Sequence, residues 1–327
     1  MVPRVIFMVS SPLQFMFCCL IVQKWFRNRI VYAYYYKFNK DFTPLYEKIS
    51  ALLQVNNVKP MPLENFPTDI SEKDKIFFGN RYNQNEILKY YENVSKTDKL
   101  YLYEEGFNTY LEHHFNNPKI SDKNKILWLK NKIKLYILGA IPTHVYLGQF
   151  KKVFSTFKVG NLNNPEAWQQ IDFIEQETDL EGRDGTCIFL LQSLCEDGLM
   201  SEKSFLTLVN SIIVQLTAIY DYIYIKPHPR NKSDIINRIS STSEKIMDIP
   251  ELYADLPVEL FLSKNRMDVI GFSSSTLMYS SSLFGFTTYH CMEEAIRYDN
   301  NNKILVLKDS VDQLFKIHNV KPLSNLK

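Results

Sequence analysis

Strand-like runs recur along the whole chain, and segments with helical spacing separate them. These runs are rich in β-branched and aromatic residues and read "RVIFMVS", "IVYAYYY", "DKIFFG", "KLYLYEE", "HVYLGQF", "KVFSTF", "TCIFLLQS", "YDYIYIKP", "MDVIGFSSS", "TTYHC" and "KILVLKD". Such alternation is typical of α/β architecture with mostly parallel sheets, rather than of an all-α or all-β fold. Because ligands of parallel sheets bind beyond the carboxyl ends of strands, residues at those ends are the first functional candidates.

The length of the chain predicts two domains. With 327 residues it is long for one compact domain. The segment 160–185 is polar, acidic and poor in strand-like runs, which fits a crossing between two α/β units. We therefore expect an N-terminal domain over 1–165 and a C-terminal domain over 166–327, whose final helix could return to the first domain.

Charge and cysteine content narrow the functional classes. The 38 Lys and Arg residues nearly balance 36 Asp and Glu residues, so there is no basic field of the kind that nucleic-acid binding needs. The five cysteines are odd in number and form no C-x-x-C pair, which indicates reduced thiols in a cytoplasmic location. The apolar opening 1–26 is interrupted by polar residues, which favours a buried strand, a turn and a helix over an export signal or membrane span.

Two acidic pairs follow predicted strands. Glu104 and Glu105 precede a glycine at the end of "LYLYEEG", and Glu196 and Asp197 precede another in "CEDG". A carboxylate at a strand tip could remove a proton from an attacking hydroxyl. Acids at the start of a helix are also favourable without any chemical task, so both interpretations stay open for each pair.

One histidine lies between two prolines directly after a strand-like run. In "YIYIKPHPR", Pro229 favours an extended backbone at His228, and Pro227 stiffens the approach. A histidine constrained in this way loses little entropy when it binds a phosphate oxygen or a leaving group. The alternative is a turn histidine without a task.

A run of hydroxyl residues marks another strand-to-helix junction. It comprises Ser273, Ser274, Ser275 and Thr276. Hydroxyls, free backbone N–H groups and a helix N-terminus together bind phosphate without a cation. One such residue would be an ordinary N-cap, but four exceed that need. The sequence has no G-x-G-x-x-G, Walker A, H-E-x-x-H or G-x-S-x-G motif and no D-x-D pair, so the usual support for dinucleotide enzymes, P-loop NTPases, zincins and α/β-hydrolases is missing.

The order of these motifs resembles that of bacterial sialyltransferases. Glu104-Glu105-Gly106, His228-Pro229 and Ser273-Ser274-Ser275 match, most of all, glycosyltransferase family 52, the lipooligosaccharide and capsule sialyltransferases. Two weaker matches are "SSPLQ" at 10–14 and Glu259 in "LPVELF". The resemblance implies a GT-B fold, with two Rossmann-like domains around a central cleft and the nucleotide held mainly by the second domain.

The resemblance also implies roles. CMP-sialic acid would be the donor, no metal or other cofactor would be needed, and the anomeric centre would invert. Glu104 or Glu105 would deprotonate the acceptor hydroxyl, with Glu196 and Asp197 as rival bases. His228 would bind and could protonate the departing phosphate, and Glu259 would accept hydrogen bonds from the ribose. The remaining nucleotide-binding candidates are Lys226, Pro229, Ser273, Ser274, Ser275 and Thr276.

These observations lead to one main hypothesis and two alternatives. The main hypothesis is transfer of sialic acid to a terminal sugar of a bacterial surface glycan such as lipooligosaccharide or capsule. Galactose is the favoured acceptor sugar. The alternatives are a GT-B enzyme for a UDP- or GDP-sugar and a non-catalytic nucleotide- or glycan-binding protein of polysaccharide assembly. A homodimer is a further partner hypothesis. The Lys-rich segment 123–134 would either contact the anionic inner face of the cytoplasmic membrane or pack on its own domain.

Overall fold

The chain folds into two compact units, Met1–Phe173 and Ile174–Lys327. The structure, a computed structural model, describes residues 3–35, 41–71, 73–79, 100–110, 151–159, 165–176, 184–240, 243–299 and 301–326. The division lies beyond the predicted boundary at 165, because Trp168–Gln170 adds an edge strand to the sheet of the first unit. The Lys-rich segment 123–134 and the predicted strand "HVYLGQF" lie outside the described residues.

The first unit is built on a parallel sheet. Within the described residues it has seven strands, in the order β3-β2-β1-β4-β5-β6-β7. The strands are β1 (Val5–Val9), β2 (Val31–Tyr35), β3 (Val58–Pro62), β4 (Lys75–Phe78), β5 (Leu100–Tyr103), β6 (Lys152–Ser155) and β7 (Trp168–Gln170). Helices α1 (Pro12–Trp25) and α2 (Thr43–Leu52) and the short 3₁₀ turns Leu63–Asn65, Phe107–Thr109 and Pro165–Ala167 join them. The strand order reverses between β1 and β4, as in Rossmann-like sheets.

The apolar opening of the chain is the centre of this sheet. β1 is buried along its whole length, and the Phe7 ring stacks on Phe77 with 4.2 Å between ring centroids. Ser11 caps α1 by accepting a hydrogen bond from the Gln14 backbone N–H at 3.2 Å, and Pro12 occupies the first turn. The prediction of a strand, a turn and a helix is confirmed. In the parts of the chain that the structure describes, no helix is both long and apolar enough to cross a bilayer.

The second unit repeats the plan. Its described residues form six parallel strands in the order β10-β9-β8-β11-β12-β13. The strands are β8 (Thr186–Leu190), β9 (Tyr222–Lys226), β10 (Ile246–Asp248), β11 (Asp268–Gly271), β12 (Thr288–His290) and β13 (Lys321–Pro322). The helices are α3 (Glu202–Thr217), α4 (Ser233–Ser240), α5 (Val258–Leu262), α6 (Ser275–Ser282), α7 (Met292–Tyr298) and α8 (Asn302–Ile317), with 3₁₀ turns at Glu251–Tyr253 and Leu323–Asn325. Here the order reverses between β8 and β11.

One predicted strand is wrong. The run "KILVLKD" lies inside helix α8, which Asn301 caps by accepting a hydrogen bond from the Lys303 backbone N–H at 3.0 Å. The buried positions Ile304, Val311 and Phe315 lie at helical spacing, so the helix packs through one face. Four consecutive apolar residues conceal this spacing when the run is considered alone.

Candidate active site

The motifs of the second unit gather at one edge of its sheet. The strands β8, β9 and β11 are neighbours, and their last residues are in register: Leu190 lies beside Lys226 on one side and Gly271 on the other. The acidic pair follows β8, the histidine motif follows β9 and the hydroxyl run follows β11. All three motifs therefore lie at the carboxyl edge, where the strand order reverses.

Two hydrogen bonds restrain His228, one at its backbone and one at its ring. Its own N–H donates to Oδ1 of Asn231 at 2.8 Å, and the N–H of Arg230 donates to Nδ1 of its ring at 3.3 Å. Because Nδ1 accepts a hydrogen bond, the neutral ring carries its hydrogen on Nε2. The side chain is half-buried, and among the described residues no group hydrogen-bonds to Nε2. His228 therefore presents a preorganised N–H donor.

The surroundings of His228 keep the ring neutral. Burial lowers its pKa below the ordinary value of 6.5, and the Arg230 guanidinium lowers it further. The carboxylates of Asp197 and Glu196 act in the opposite direction without reversing the shift. At neutral pH the uncharged ring of this histidine can therefore donate a hydrogen bond to an anion.

The acidic pair after β8 contacts the histidine loop. Asp197 accepts hydrogen bonds from the Arg230 guanidinium, one of them at 3.1 Å, and from the Ser193 hydroxyl at 2.8 Å. Glu196 accepts from the Asn231 side-chain amide and from the Lys232 backbone N–H, each at 3.2 Å. Both carboxylates thus hold the loop that carries His228.

A buried carboxylate lies beside the hydroxyl run. Glu259, in the first turn of α5, is only 2% exposed, and its Oε1 accepts a hydrogen bond from the Thr276 hydroxyl at 2.7 Å. The Ser274 hydroxyl donates to Thr276 Oγ1 at 3.1 Å. Burial raises the pKa of Glu259 above 4.5, although the Thr276 hydrogen bond and the charge of Lys226 oppose that rise.

Lys226 ends strand β9 near the same carboxylate. Its ammonium donates to the backbone carbonyls of Tyr253 at 3.3 Å and of Ala254. Burial lowers the pKa of Lys226 to about 8, while the charges of Asp255 and Glu259 oppose the shift. This lysine is therefore a cation whose charge changes just above neutral pH.

The hydroxyl run forms the start of helix α6. Ser274 is the N-cap, and its side chain accepts a hydrogen bond from the Thr276 backbone N–H at 3.3 Å. Ser273 and Ser275 are half-buried beside it. The positive end of the helix and these hydroxyls form an arrangement that can bind a phosphate. Pro229 is exposed in the neighbouring loop.

The two glutamates of the acidic motif in the first unit differ in burial. Glu104 is 0% exposed; its Oε1 accepts from the Tyr110 hydroxyl, and its Oε2 accepts from the Thr156 backbone N–H at 2.7 Å and the Thr156 hydroxyl at 2.5 Å. Glu105 is half-buried, and its backbone N–H donates to the Thr109 hydroxyl at 2.8 Å. Gly106 follows with a φ of 96°, which turns the chain sharply away from the strand.

Several residues that contact the predicted site residues of their own unit were not predicted. They are Tyr110 and Thr156 in the first unit, and Ser193, Arg230 and Asn231 in the second. Asn231 had a usable signal, because an asparagine a few residues after a turn start often bonds to a nearby backbone group. Thr156 had none, since it joins Glu104 only through the pairing of β5 with β6.

Solved structures resemble the whole chain at low identity. The MurG protein of Acinetobacter baumannii is 10% identical, with 99% of this chain and 88% of that chain covered and a TM-score of 0.42. A Listeria monocytogenes protein assigned as a UDP-N-acetylglucosamine 2-epimerase is 11% identical, with 97% of this chain and 89% of that chain covered and a TM-score of 0.50. The likeness to the epimerase concerns the fold alone. The predicted fold class, α/β with two Rossmann-like domains of the GT-B type, is confirmed.

The comparison with protein families identifies the chain's relatives. No curated protein matches it. The family model described as alpha-2,8-polysialyltransferase (POLYST) matches residues 47–293. That range includes the acidic motif of the first unit and the acidic, histidine and hydroxyl motifs of the second. The chain therefore belongs to the alpha-2,8-polysialyltransferase family.

Proposed function

We propose that this protein is an inverting, metal-independent sialyltransferase that takes sialic acid from CMP-sialic acid and attaches it to a terminal sugar of a bacterial surface glycan. Membership of a sialyltransferase family supports glycosyl transfer in general. The observation that carries the finer proposal is the neutral, oriented ring of His228, at the same sheet edge as the N-terminus of α6.

The proposed task of His228 is to stabilise the leaving group. As the glycosidic bond breaks, negative charge develops on the phosphate of CMP. An N–H donor already aimed at that oxygen is worth more in the transition state than in the ground state. Because the pKa of His228 is lowered, the ring donates a hydrogen bond from Nε2 rather than a full proton. The hydroxyls of Ser273, Ser274 and Ser275 and the helix N-terminus complete the phosphate site.

Glu259 is proposed to bind the ribose of the nucleotide, and Lys226 is proposed to bind its phosphate. Thr276 occupies Oε1 of Glu259 and holds the carboxylate in one orientation. Its other oxygen can accept hydrogen bonds from the ribose hydroxyls. Lys226 adds positive charge for the phosphate, at a cost that its lowered pKa of about 8 reflects.

We assign the general base to Glu105. A base must present an oxygen to the acceptor hydroxyl. Glu104 is fully buried, and both of its oxygens are bonded by Tyr110 and Thr156. Glu105, the next residue, is half-buried and so lies within reach of solvent. In this assignment Glu104 holds the strand end and Glu105 acts on the acceptor.

The acceptor would be a terminal sugar, and there are two candidates. One is galactose, which the motif resemblance favours; the other is a sialic acid that receives the new residue on O8, which the family description favours. Both would be terminal sugars of a surface glycan such as lipooligosaccharide or capsule. Contact with an anionic membrane and a homodimer stay predictions.

A transfer assay tests the proposal. Purified protein with EDTA is incubated with CMP-sialic acid and either lactose or an α2,8-linked disialyl oligosaccharide, and products are identified by mass spectrometry. We expect addition of sialic acid to one acceptor, with rates about a hundredfold to a thousandfold lower in His228→Ala. Lys232→Ala is the matched control, because this exposed neighbour contacts Glu196 only through its backbone. Absence of transfer to both acceptors, or full dependence on added metal, would contradict the proposal.

A further inference from the structure

The loop that carries His228 is held by side-chain contacts to the segment after β8. Asn231 is at the centre of these contacts. Its Oδ1 accepts the N–H of His228 at 2.8 Å, and its Nδ2 donates at 3.2 Å both to the Gln192 carbonyl and to Glu196 Oε2. One asparagine thus joins the backbone of His228 to two groups of the neighbouring strand exit.

Arg230 makes a second connection. Its guanidinium pairs with Asp197, whose other contact is the Ser193 hydroxyl. Its backbone N–H donates to the ring of His228. Because an arginine-carboxylate pair with two N–H donors restrains position and orientation, the ion pair restrains the N–H that selects the tautomer of His228. The Arg230 side chain is 58% exposed, so the ion pair contributes little to the free energy of unfolding, and its main effect is to orient the loop.

The two connections act on different parts of the histidine. Asn231 restrains the backbone of His228, and Arg230 restrains its ring. Both are anchored on consecutive acids, Glu196 and Asp197. A general base needs an oxygen turned to the acceptor, whereas these carboxylates are turned to the loop by four hydrogen bonds in all, two from Arg230 and one each from Asn231 and Lys232.

We propose that Asn231 is a positioning residue that, with Glu196 and Asp197, sets the direction in which His228 presents Nε2–H, and that neither acid is the base. The identity of the ligand that Nε2–H meets rests on the proposed function. The positioning itself concerns only residues of the second unit and is present before any ligand binds.

The test measures the tautomer of His228 directly. Protein labelled with ¹⁵N at histidine is studied above pH 7.5 without ligand, where the ring is neutral because its pKa is lowered. We expect a single Nε2–H tautomer in the wild type. We expect a mixture of tautomers in Asn231→Ala, because a released His228 backbone would separate Nδ1 from the Arg230 N–H that selects the tautomer. Lys232→Ala is the control and should keep the wild-type signal. A wild-type signal in Asn231→Ala would overturn the positioning role.

A second arm separates positioning from base catalysis. Glu196→Gln keeps an acceptor for Asn231, so we expect turnover within about tenfold of wild type and an unchanged tautomer. A loss of more than a hundredfold in kcat, with unchanged CMP affinity and an unchanged tautomer, would assign Glu196 as the base and overturn the proposal. The same comparison applies to Asp197→Asn.

The experiments distinguish failure of the proposed function from failure of the positioning role. If wild-type protein does not bind CMP but the tautomer still depends on Asn231, the proposed function fails and the positioning role stands. If CMP binds and the tautomer is independent of Asn231, the reverse holds. Should Asn231→Ala not fold, Asn231→Asp retains the acceptor for the His228 N–H but loses the donor to Gln192 and Glu196. A wild-type signal in Asn231→Asp would show that the Nδ2 donor of Asn231 is not needed, and it would overturn the role given to Glu196.

Discussion

The backbone N–H of Arg230 bonds to Nδ1 of His228 at 3.3 Å, so the neutral ring carries its hydrogen on Nε2. This relationship connects the proline-flanked loop to a chemical property. The prolines stiffen the chain on both sides, and the hydrogen bond selects the nitrogen that donates. A ring prepared in this way suits a leaving group whose negative charge grows as a bond breaks.

We predict opposite outcomes for the two glutamates of the first unit. Glu105→Gln should lower kcat by about a hundredfold to ten-thousandfold with little change in thermal midpoint, because it removes the proposed base. Glu104→Gln should lower the thermal midpoint by about 4–8 °C, since glutamine has one acceptor oxygen where both carboxylate oxygens of Glu104 accept hydrogen bonds from Tyr110 and Thr156. Thermal unfolding and single-turnover kinetics of both variants check this. A large loss of kcat in Glu104→Gln at unchanged stability would reverse the assignment.

Glu259 should lower the stability of the folded protein at neutral pH and strengthen its binding of CMP. Its folded-state pKa is raised above 4.5, so the stability linked to its proton is full below pH 4.5 and is lost as pH rises through the raised pKa. At pH 7.5, Glu259→Gln should therefore unfold at a higher temperature than wild type and bind CMP about tenfold more weakly. Glu251→Gln, at an exposed position in the same unit, is the control. A lower thermal midpoint for Glu259→Gln would contradict the account.

Lys226 should make nucleotide affinity depend on pH above neutrality. Its pKa of about 8 means that the ammonium loses its proton as pH rises from 7 to 9, unless a bound phosphate retains it. We expect CMP affinity to fall by about tenfold over this range, the value of one hydrogen bond to a charged group. Calorimetric titrations at several pH values check this, and Lys226→Gln should bind weakly at every pH. A variant as pH-dependent as wild type would rule the lysine out as the cause.

Acid should destabilise the second unit in part through His290. This buried ring stacks on Phe315 with 4.9 Å between ring centroids, and burial lowers its pKa below 6.5. Lys308 lowers that pKa further, whereas Asp312 and Glu293 raise it. The unfolded chain therefore binds more protons, so stability is full above about pH 6.5 and is lost as pH falls through the lowered pKa.

The variant His290→Phe keeps a ring against Phe315 and removes the titration. Its thermal midpoint should fall less steeply than that of wild type between pH 7 and pH 5. Part of the fall should remain, because the pKa values of His228 and His318 are lowered by burial as well. Equal slopes for the variant and wild type would show that His290 does not contribute.

The sequence predicted most of the central strands and the edge where the motifs gather. β1, β8 and β11 are β-branched or aromatic runs that end in polar residues, and both features are local. The parallel pairing of β8 with β9 and β11 then brings the motifs together, because the carboxyl ends of parallel strands share an edge.

Other features depend on contacts that no local pattern contains. Glu104 and Glu105 have the same chemistry, and only the pairing of β5 with β6 and the return of Tyr110 decide which one is buried. The edge strands β3 and β13 contain proline, which disfavours a strand prediction. The "KILVLKD" run shows the converse, since a helix cap and distant packing override an apolar run that resembles a strand.

The most direct test of the central claim is calorimetric titration of the protein, with EDTA present, against CMP, UDP and GDP. We predict that CMP alone binds, and that His228→Ala abolishes or strongly weakens binding while Lys232→Ala leaves it unchanged. Preference for UDP or GDP, or no binding of any of the three nucleotides, would contradict a CMP-sialic acid donor.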